Sequence, residues 1–324
     1  MRIAANEFAL PFTENTECHA SHFVRLRDGR ILLVCFLGTK EGADDVRIVG
    51  TVRQANGLWS VPKPITEDDG VPHWNPVLFR RKDGALVLFY KVGKPISAWK
   101  TRYMLSFDEG ESWTDSCELV EGDASGGRGP VRNKAIYLKN GSILAPASTE
   151  QGEWRCFFDR SDDGGSSWTK SRELCAPAQT LAAHKTDHGK GIIQPTLWES
   201  SEGVHALMRS SEGAIYRTDS PDGITWCDPY RTAFPNNNSG IDVAALPDGR
   251  LILCCNPVGK NWGARTPISL FVSSDNGKSF SLLTHLTTMV GEFSYPAVRY
   301  ENGQLHVCYT WNRKTIQYFC IEDL

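Results

Sequence analysis

No apolar run in the 324 residues approaches the length of a membrane span. No cluster of lysine and arginine stands out, and the formal net charge is −3, which argues against a nucleic-acid partner. The first twelve residues, MRIAANEFALPF, lack the charged-then-apolar pattern of a secretory leader. The expected location is therefore cytoplasmic, with secretion behind a removed leader left open. Ten cysteines are scattered between Cys18 and Cys320 without a Cys-x-x-Cys pair, and several sit inside apolar runs. They read as reduced core residues rather than a disulfide framework. A Gly-rich phosphate loop, zinc-ligand spacing and a nucleophile elbow are all missing. No cofactor and no metal are expected. Helical periodicity is almost absent too, which leaves an all-β chain.

What the chain does have is repetition. Ser161–Trp168 reads Ser-x-Asp-x-Gly-x-x-Trp. The same form occurs at Ser106–Trp113 and, with Phe in the Trp place, at Ser273–Phe280; Ser220–Trp226 is one residue short. In such a box Asp and Ser side chains hold a tight turn, Gly supplies a positive-φ position, and the aromatic ring can cap the gap between neighbouring sheets. A second repeat is a turn dipeptide followed by an apolar strand. Its copies are Asp28-Gly29, Asp83-Gly84, Asn140-Gly141, Glu202-Gly203, Asp248-Gly249 and Asn302-Gly303. Such dipeptides between apolar runs are strong hairpin signals. Six units of about four strands at a period of about 50 residues predict one six-bladed β-propeller of antiparallel four-stranded blades spanning residues 1–324. The last unit lacks a box and is short of a strand. Arg2–Leu10 is expected to supply it and close the ring.

Alternating strands place both turn families on one face. The other face receives the loops that enter each first strand and those that follow each second strand, and the unusual polar residues fall in these loops. Propeller sites form in such a mouth. Its expected cations are Lys91, Arg128, Arg132, Lys134, Arg209, Arg265 and Arg313, whose forks and charges suit a carboxylate or sulfate. Asp44, Asp45, Glu150 and Glu292 are the acids that could pair with them. Asn238 lies in a first-strand loop, and Trp74, Trp99 and Trp311 are candidates to stack on sugar rings. His19 and His22, two strand residues on opposite sides, do not suit a shared metal. His19 or His73 could act as a general base. His184 and His188 sit in a polar insertion, 178–191, read as a lid.

These boxes and loops resemble the sialidase (neuraminidase) superfamily, in its branch of Asp-box, or BNR, repeat proteins, over essentially the whole chain. The resemblance implies a six-bladed propeller, three arginines on the substrate carboxylate, a Tyr nucleophile with a Glu partner, and an Asp acid/base; sialidases are the tyrosine exception among glycosidases. Arg209 looks like the second family arginine and Arg265 like the third. Asp45, or its neighbour Asp44, falls where the acid/base belongs, and Tyr295, or less directly Phe293, where the nucleophile belongs. Two positions depart from the family. The Arg-Ile-Pro motif entering blade one reads His19-Ala20-Ser21, and the Glu entering blade four is Gln194, so that Glu292 would have to partner Tyr295.

Three readings follow. The first is an exo-glycosidase of sialidase type acting on a terminal acidic sugar, with Asp45, Tyr295 and Glu292 doing the chemistry. Here Arg128, Arg132, Lys91, Gln194, Arg209, Asn238, Arg265, Trp311 and Arg313 bind the substrate. The second is β-elimination on a uronic acid, with His19 or His73 as base. The third is a saccharide-binding propeller without catalysis. In each the partner is an acidic mono- or oligosaccharide.

Overall fold

The computed structural model describes residues 1–177 and 189–324. His184, His188 and all but the last three residues of the expected insertion lie outside the described residues. Blade one consists of β2 (Glu17–Arg25), β3 (Ile31–Gly38), β4 (Arg47–Arg53) and β5 (Lys63–Pro64). Blade two consists of β6 (His73–Arg80), β7 (Leu86–Val92), β8 (Lys100–Ser106) and β9 (Cys117–Glu118). Blade three has β10 (Ile136–Tyr137), β11 (Ile143–Thr149), β12 (Arg155–Ser161) and β13 (Thr169–Lys170), and blade four β14 (Ile192–Ser200), β15 (Gly203–Ser210), β16 (Ala214–Ser220) and β17 (Tyr230–Pro235). Blade five has β18 (Asp242–Ala245), β19 (Leu251–Cys255), β20 (Ile268–Ser273) and β21 (Ser281–Thr287). Blade six has β22 (Phe293–Glu301), β23 (Gln304–Trp311) and β24 (Thr315–Glu322), completed by β1 (Arg2–Phe8). All six sheets are antiparallel, and β1 pairs with β24 from Arg2 opposite Glu322 to Phe8 opposite Gln317, as the short last unit required.

Apolar side chains on both faces of the inner strands give each sheet two buried sides. The core is accordingly divided among the seams between blades: six hydrophobic clusters occupy six such seams. The Ser-Asp boxes fasten these seams. In the blade-three box Ser161 Oγ donates to Asp163 Oδ1 at 2.8 Å and accepts from Gly165 N at 2.7 Å, while Ser167 N reaches Asp163 Oδ1 at 2.9 Å. Gly165 has φ +98°, a value that a side chain would strain. Each box aromatic then leans on the blade before it. Trp226 stacks on Phe158 at 3.8 Å between centroids, Trp168 meets Phe89 at 6.1 Å, and Phe280 meets Phe234 at 5.5 Å.

The centre of the ring is polar. Lys134 Nζ donates to both oxygens of Asp242 at 2.8 Å and to Val243 O at 2.7 Å. Thr196 Oγ1 and Val298 N also donate to Asp242, at 2.6 and 2.8 Å, so one carboxylate ties blades three, four, five and six. Arg299 binds Phe23 O at 3.0 Å and Leu78 O at 3.1 Å, bringing in blades one and two. Buried charges of this kind hold only when paired and hydrogen-bonded, as these are.

Candidate functional site

The first strands of blades one, two, four and six share a defect at the same place. Pairing slips between His19 and His22, Trp74 and Val77, Ile193 and Thr196, and Ser294 and Ala297. Each slip holds a non-glycine residue in the left-handed region: Ala20 (φ +55°), Asn75 (+46°), Gln194 (+54°) and Tyr295 (+56°). Bulges of this kind re-aim a side chain out of the strand alternation, at a local cost of about 1–3 kcal/mol. Two neighbours in blade three hold two of them. Arg132 Nη2 donates to Tyr295 O and, at 2.9 Å, to Pro296 O. Asn133 Nδ2 donates to Gln194 O at 3.1 Å and Pro195 O at 3.0 Å.

The result is a tyrosine ringed by guanidinium groups. The Cζ atoms of Arg132, Arg209 and Arg265 lie 5.4, 5.6 and 5.6 Å from the Tyr295 ring centroid. Arg209 Nη1 donates to the Tyr295 hydroxyl at 2.8 Å and to Gln194 Oε1 at 3.1 Å; its Nε donates to Asn238 Oδ1 at 3.0 Å. Arg265 Nη1 reaches Glu292 Oε1 at 2.6 Å, and Arg313 Nε reaches the same oxygen at 3.0 Å. Arg313 also binds Glu41. The Nη2 atoms of Arg209 and Arg265 have no acceptor among the described residues. Glu292 therefore neutralises two arginines, and among the described residues no carboxylate contacts the Tyr295 hydroxyl.

His19 lies against Tyr295, ring centroids 4.1 Å apart, with Nδ1 2.9 Å from Thr310 Oγ1. Its Nε2 has no partner among the described residues. Burial, and then the charges of Arg313, Arg265, Arg132 and Arg209, hold its imidazole well below the usual histidine range, so it is neutral. His22, by contrast, faces the seam of blades one and two and accepts Leu78 N at 3.2 Å.

Several expected site residues have partners outside the tyrosine cluster. Asp45 folds back on its own loop, accepting from Thr39 N at 3.0 Å and Thr39 Oγ1 at 3.0 Å, and Asp44 pairs with Lys94. His73 is bonded to Thr66 Oγ1 at 2.8 Å in a separate groove of about 620 Å³ on the flank of blades one and two. Arg128 is engaged by buried Asp159, at 2.6 Å from Nη2. Trp74 and Trp99 are buried and pack on each other at 5.3 Å between centroids, and Trp311 packs on Phe293 at 4.5 Å. Other residues reach the mouth as well, among them the expected acid Glu150. Trp154 lies under Arg209, 5.8 Å from Cζ to centroid. Trp262, 58% exposed, stands edge-on to it at 6.3 Å. Glu150 is the carboxyl that feels Arg209. The repeat register puts Glu150 in a mouth loop, and it carries no signal for Trp154.

Lys91 is wholly buried, donating to Thr101 Oγ1 at 2.6 Å and Arg128 O at 2.7 Å. Burial brings its ammonium down to about 7. An unfolded lysine titrates near ~10.4, so between pH 7 and about 10 the unfolded chain holds a proton that the folded chain has released, and stability rises with pH. The urea midpoint should climb from pH 7 to pH 9, and Lys91→Met should remove that part of the slope; equal slopes in both proteins would refute the assignment.

A second constellation invites a catalytic reading and does not support one. Ser200 Oγ lies 2.9 Å from His205 Nε2, and His205 Nδ1 lies 2.5 Å from Asp219 Oδ1. Yet Ser200 Oγ already accepts from Glu202 N at 2.9 Å and Asn276 Nδ2 at 3.2 Å, leaving no lone pair for attack. Trp198 stacks on His205, and the network fastens the blade.

The comparisons agree with this architecture. A family model described as a BNR repeat-like domain matches residues 29–307. No curated protein matches the sequence. Among solved structures, a protein of unknown function from Dyadobacter fermentans is 16% identical, with TM-score 0.79 over 100% of this chain and 99% of the other. The NanB sialidase from Streptococcus pneumoniae is 12% identical, with TM-score 0.74 over 99% and 71%. The intramolecular trans-sialidase from Ruminococcus gnavus, in complex with oseltamivir carboxylate, is 11% identical, with TM-score 0.71 over 99% and 96%. At these identities the likeness establishes the fold.

Proposed function

The chain belongs to the BNR repeat-like domain family, and on that premise we propose that it is a carbohydrate-active enzyme of sialidase type that cleaves a terminal acidic sugar. One observation carries the reading: Arg209 donates to the Tyr295 hydroxyl through Nη1, Arg265 lies 5.6 Å from the same ring, and the Nη2 atoms of both have no acceptor among the described residues. Two such edges bind a carboxylate more strongly than neutral donors do. A carboxylate held there sets the anomeric carbon beside the phenolic oxygen. The buried Lys134–Asp242 pair fills the centre of the ring, which suits a sugar that enters by its end, as a terminal residue does.

In this reading Tyr295 attacks the anomeric carbon and its proton passes to the open Nε2 of His19. The place of a partner carboxylate is held by Gln194, which already accepts from Arg209 and takes no proton. An arriving anion also offsets the arginine field that suppresses His19, raising its basicity when substrate is bound. Substitution of His19 for an arginine thus trades one fixed charge for a base.

The same neutral His19 favours a second reading, β-elimination, in which it removes the proton α to a uronate carboxylate and Tyr295 protonates the leaving oxygen. One experiment separates them. The protein is incubated with oligosaccharides ending in nonulosonic or uronic acids and with oligosaccharides of 4-linked uronic acids, in water enriched in heavy oxygen. Hydrolysis labels the released sugar; elimination gives an ultraviolet-absorbing unsaturated sugar without label. Saturable binding with no product from either set defeats both readings and leaves a binding protein.

A further inference from the structure

A glycoside leaves as an alcohol only if its oxygen is protonated, and Asp45 is committed to Thr39 rather than to the tyrosine cluster. Another carboxyl group is better placed. Glu150 follows directly on β11. Ser148, two residues earlier, accepts a hydrogen bond from Gln194 N at 3.2 Å, which seats that side of the chain against the bulge carrying Gln194. Thr149, between them, turns the other way to Ser125 O at 3.0 Å. Glu150 is half-buried and has no hydrogen bond or ion pair with any described residue. The charge acting on it is Arg209, the guanidinium that also donates to Tyr295. Burial, opposed by Arg209, raises its carboxyl above the usual range. A carboxyl group whose surroundings favour its protonated form, with no hydrogen-bond partner among the described residues, suits a general acid.

We propose that Glu150 is the acid/base of the cleavage described above, an assignment that rests on that reading. In the first half, the bond between the anomeric carbon and the leaving oxygen breaks. That oxygen takes the Glu150 proton, the Tyr295 oxygen bonds to carbon, and the phenolic proton goes to His19. In the second half, water gives a proton to the Glu150 carboxylate and its oxygen to the anomeric carbon. The Tyr295–carbon bond breaks, and the phenol recovers its proton from His19. Nothing is oxidised or reduced, and both residues return to their starting states.

The test uses the full chain with two probes sharing one acidic sugar, N-acetylneuraminic acid or glucuronic acid. One is the 4-methylumbelliferyl glycoside, whose phenol leaves without help; the other is a glycoside of lactose, whose alcohol does not. Glu150→Gln should lower turnover of the lactose probe by roughly a hundredfold or more, within the usual range for acid catalysis, and that of the aryl probe by less than about tenfold. Azide should accelerate Glu150→Ala on the aryl probe and give a glycosyl azide. Equal losses on both probes, no loss on either, or the selective loss appearing in Asp45→Asn instead would overturn the assignment. If the unmodified protein cleaves neither probe, the functional reading itself fails and takes this assignment with it.

Discussion

Tyr295→Phe lowers kcat by about a thousandfold or more on any cleavable acidic glycoside, while the substrate still binds. The change removes one oxygen. The ring stays, so the contacts with Arg132, Arg209, Arg265 and His19 that define the cluster persist. Binding depends on the guanidinium edges, and Arg209 remains anchored through Gln194 and Asn238 at 3.1 and 3.0 Å. What is lost is the atom that either attacks carbon or protonates a leaving group, which is why the prediction holds for hydrolysis and elimination alike. Steady-state kinetics with calorimetric titration of the product sugar measures both sides. Turnover within tenfold of the parent protein removes Tyr295 from the chemistry.

The second large effect is on stability. Asp242→Ala should cost about 3–5 kcal/mol, because it strands Lys134 without its carboxylate in the buried centre of the ring. The same change leaves Thr196 Oγ1 and Val298 N without their acceptor. For a chain of this size the melting temperature should fall by roughly 10 °C. Pairing the change with Lys134→Met removes the stranded charge and should recover part of the loss. A single variant that melts within about 2 °C of the parent would show that the hub is not what holds the four blades at their centre.

The propeller was legible because its signals are local. A Ser161–Trp168 box or an Asp83-Gly84 turn is complete within a few residues, and copies at a steady period count the blades. Even the missing last strand was visible as a deficit at one end of the chain. The mouth was legible only in part. Charge is written in the sequence but its partner is not. Arg128 faces Asp159, 31 residues away, and the expected ligand cations Lys91 and Lys134 are consumed inside the protein. The left-handed bulges at Gln194 and Tyr295 depend on donors from Arg132 and Asn133 in another blade, so no pattern within either strand announces them. Trp74 and Trp99 illustrate the same limit. A tryptophan in a mouth loop and one turned into the seam look alike until the packing is known.

The pairing of β1 with β24 has a consequence for how the protein is made. Arg2 and its partner Glu322 are separated by 320 positions, so β1 is made long before the strand it pairs with. At translation rates of about 5–20 residues per second the delay is on the order of tens of seconds. Throughout it, blade six lacks its outer strand, and Ile3 and Phe8 have no sheet to join. A chaperone that shields nascent chains has its longest task on β1, and a ribosome stalled short of Thr315 releases an open ring.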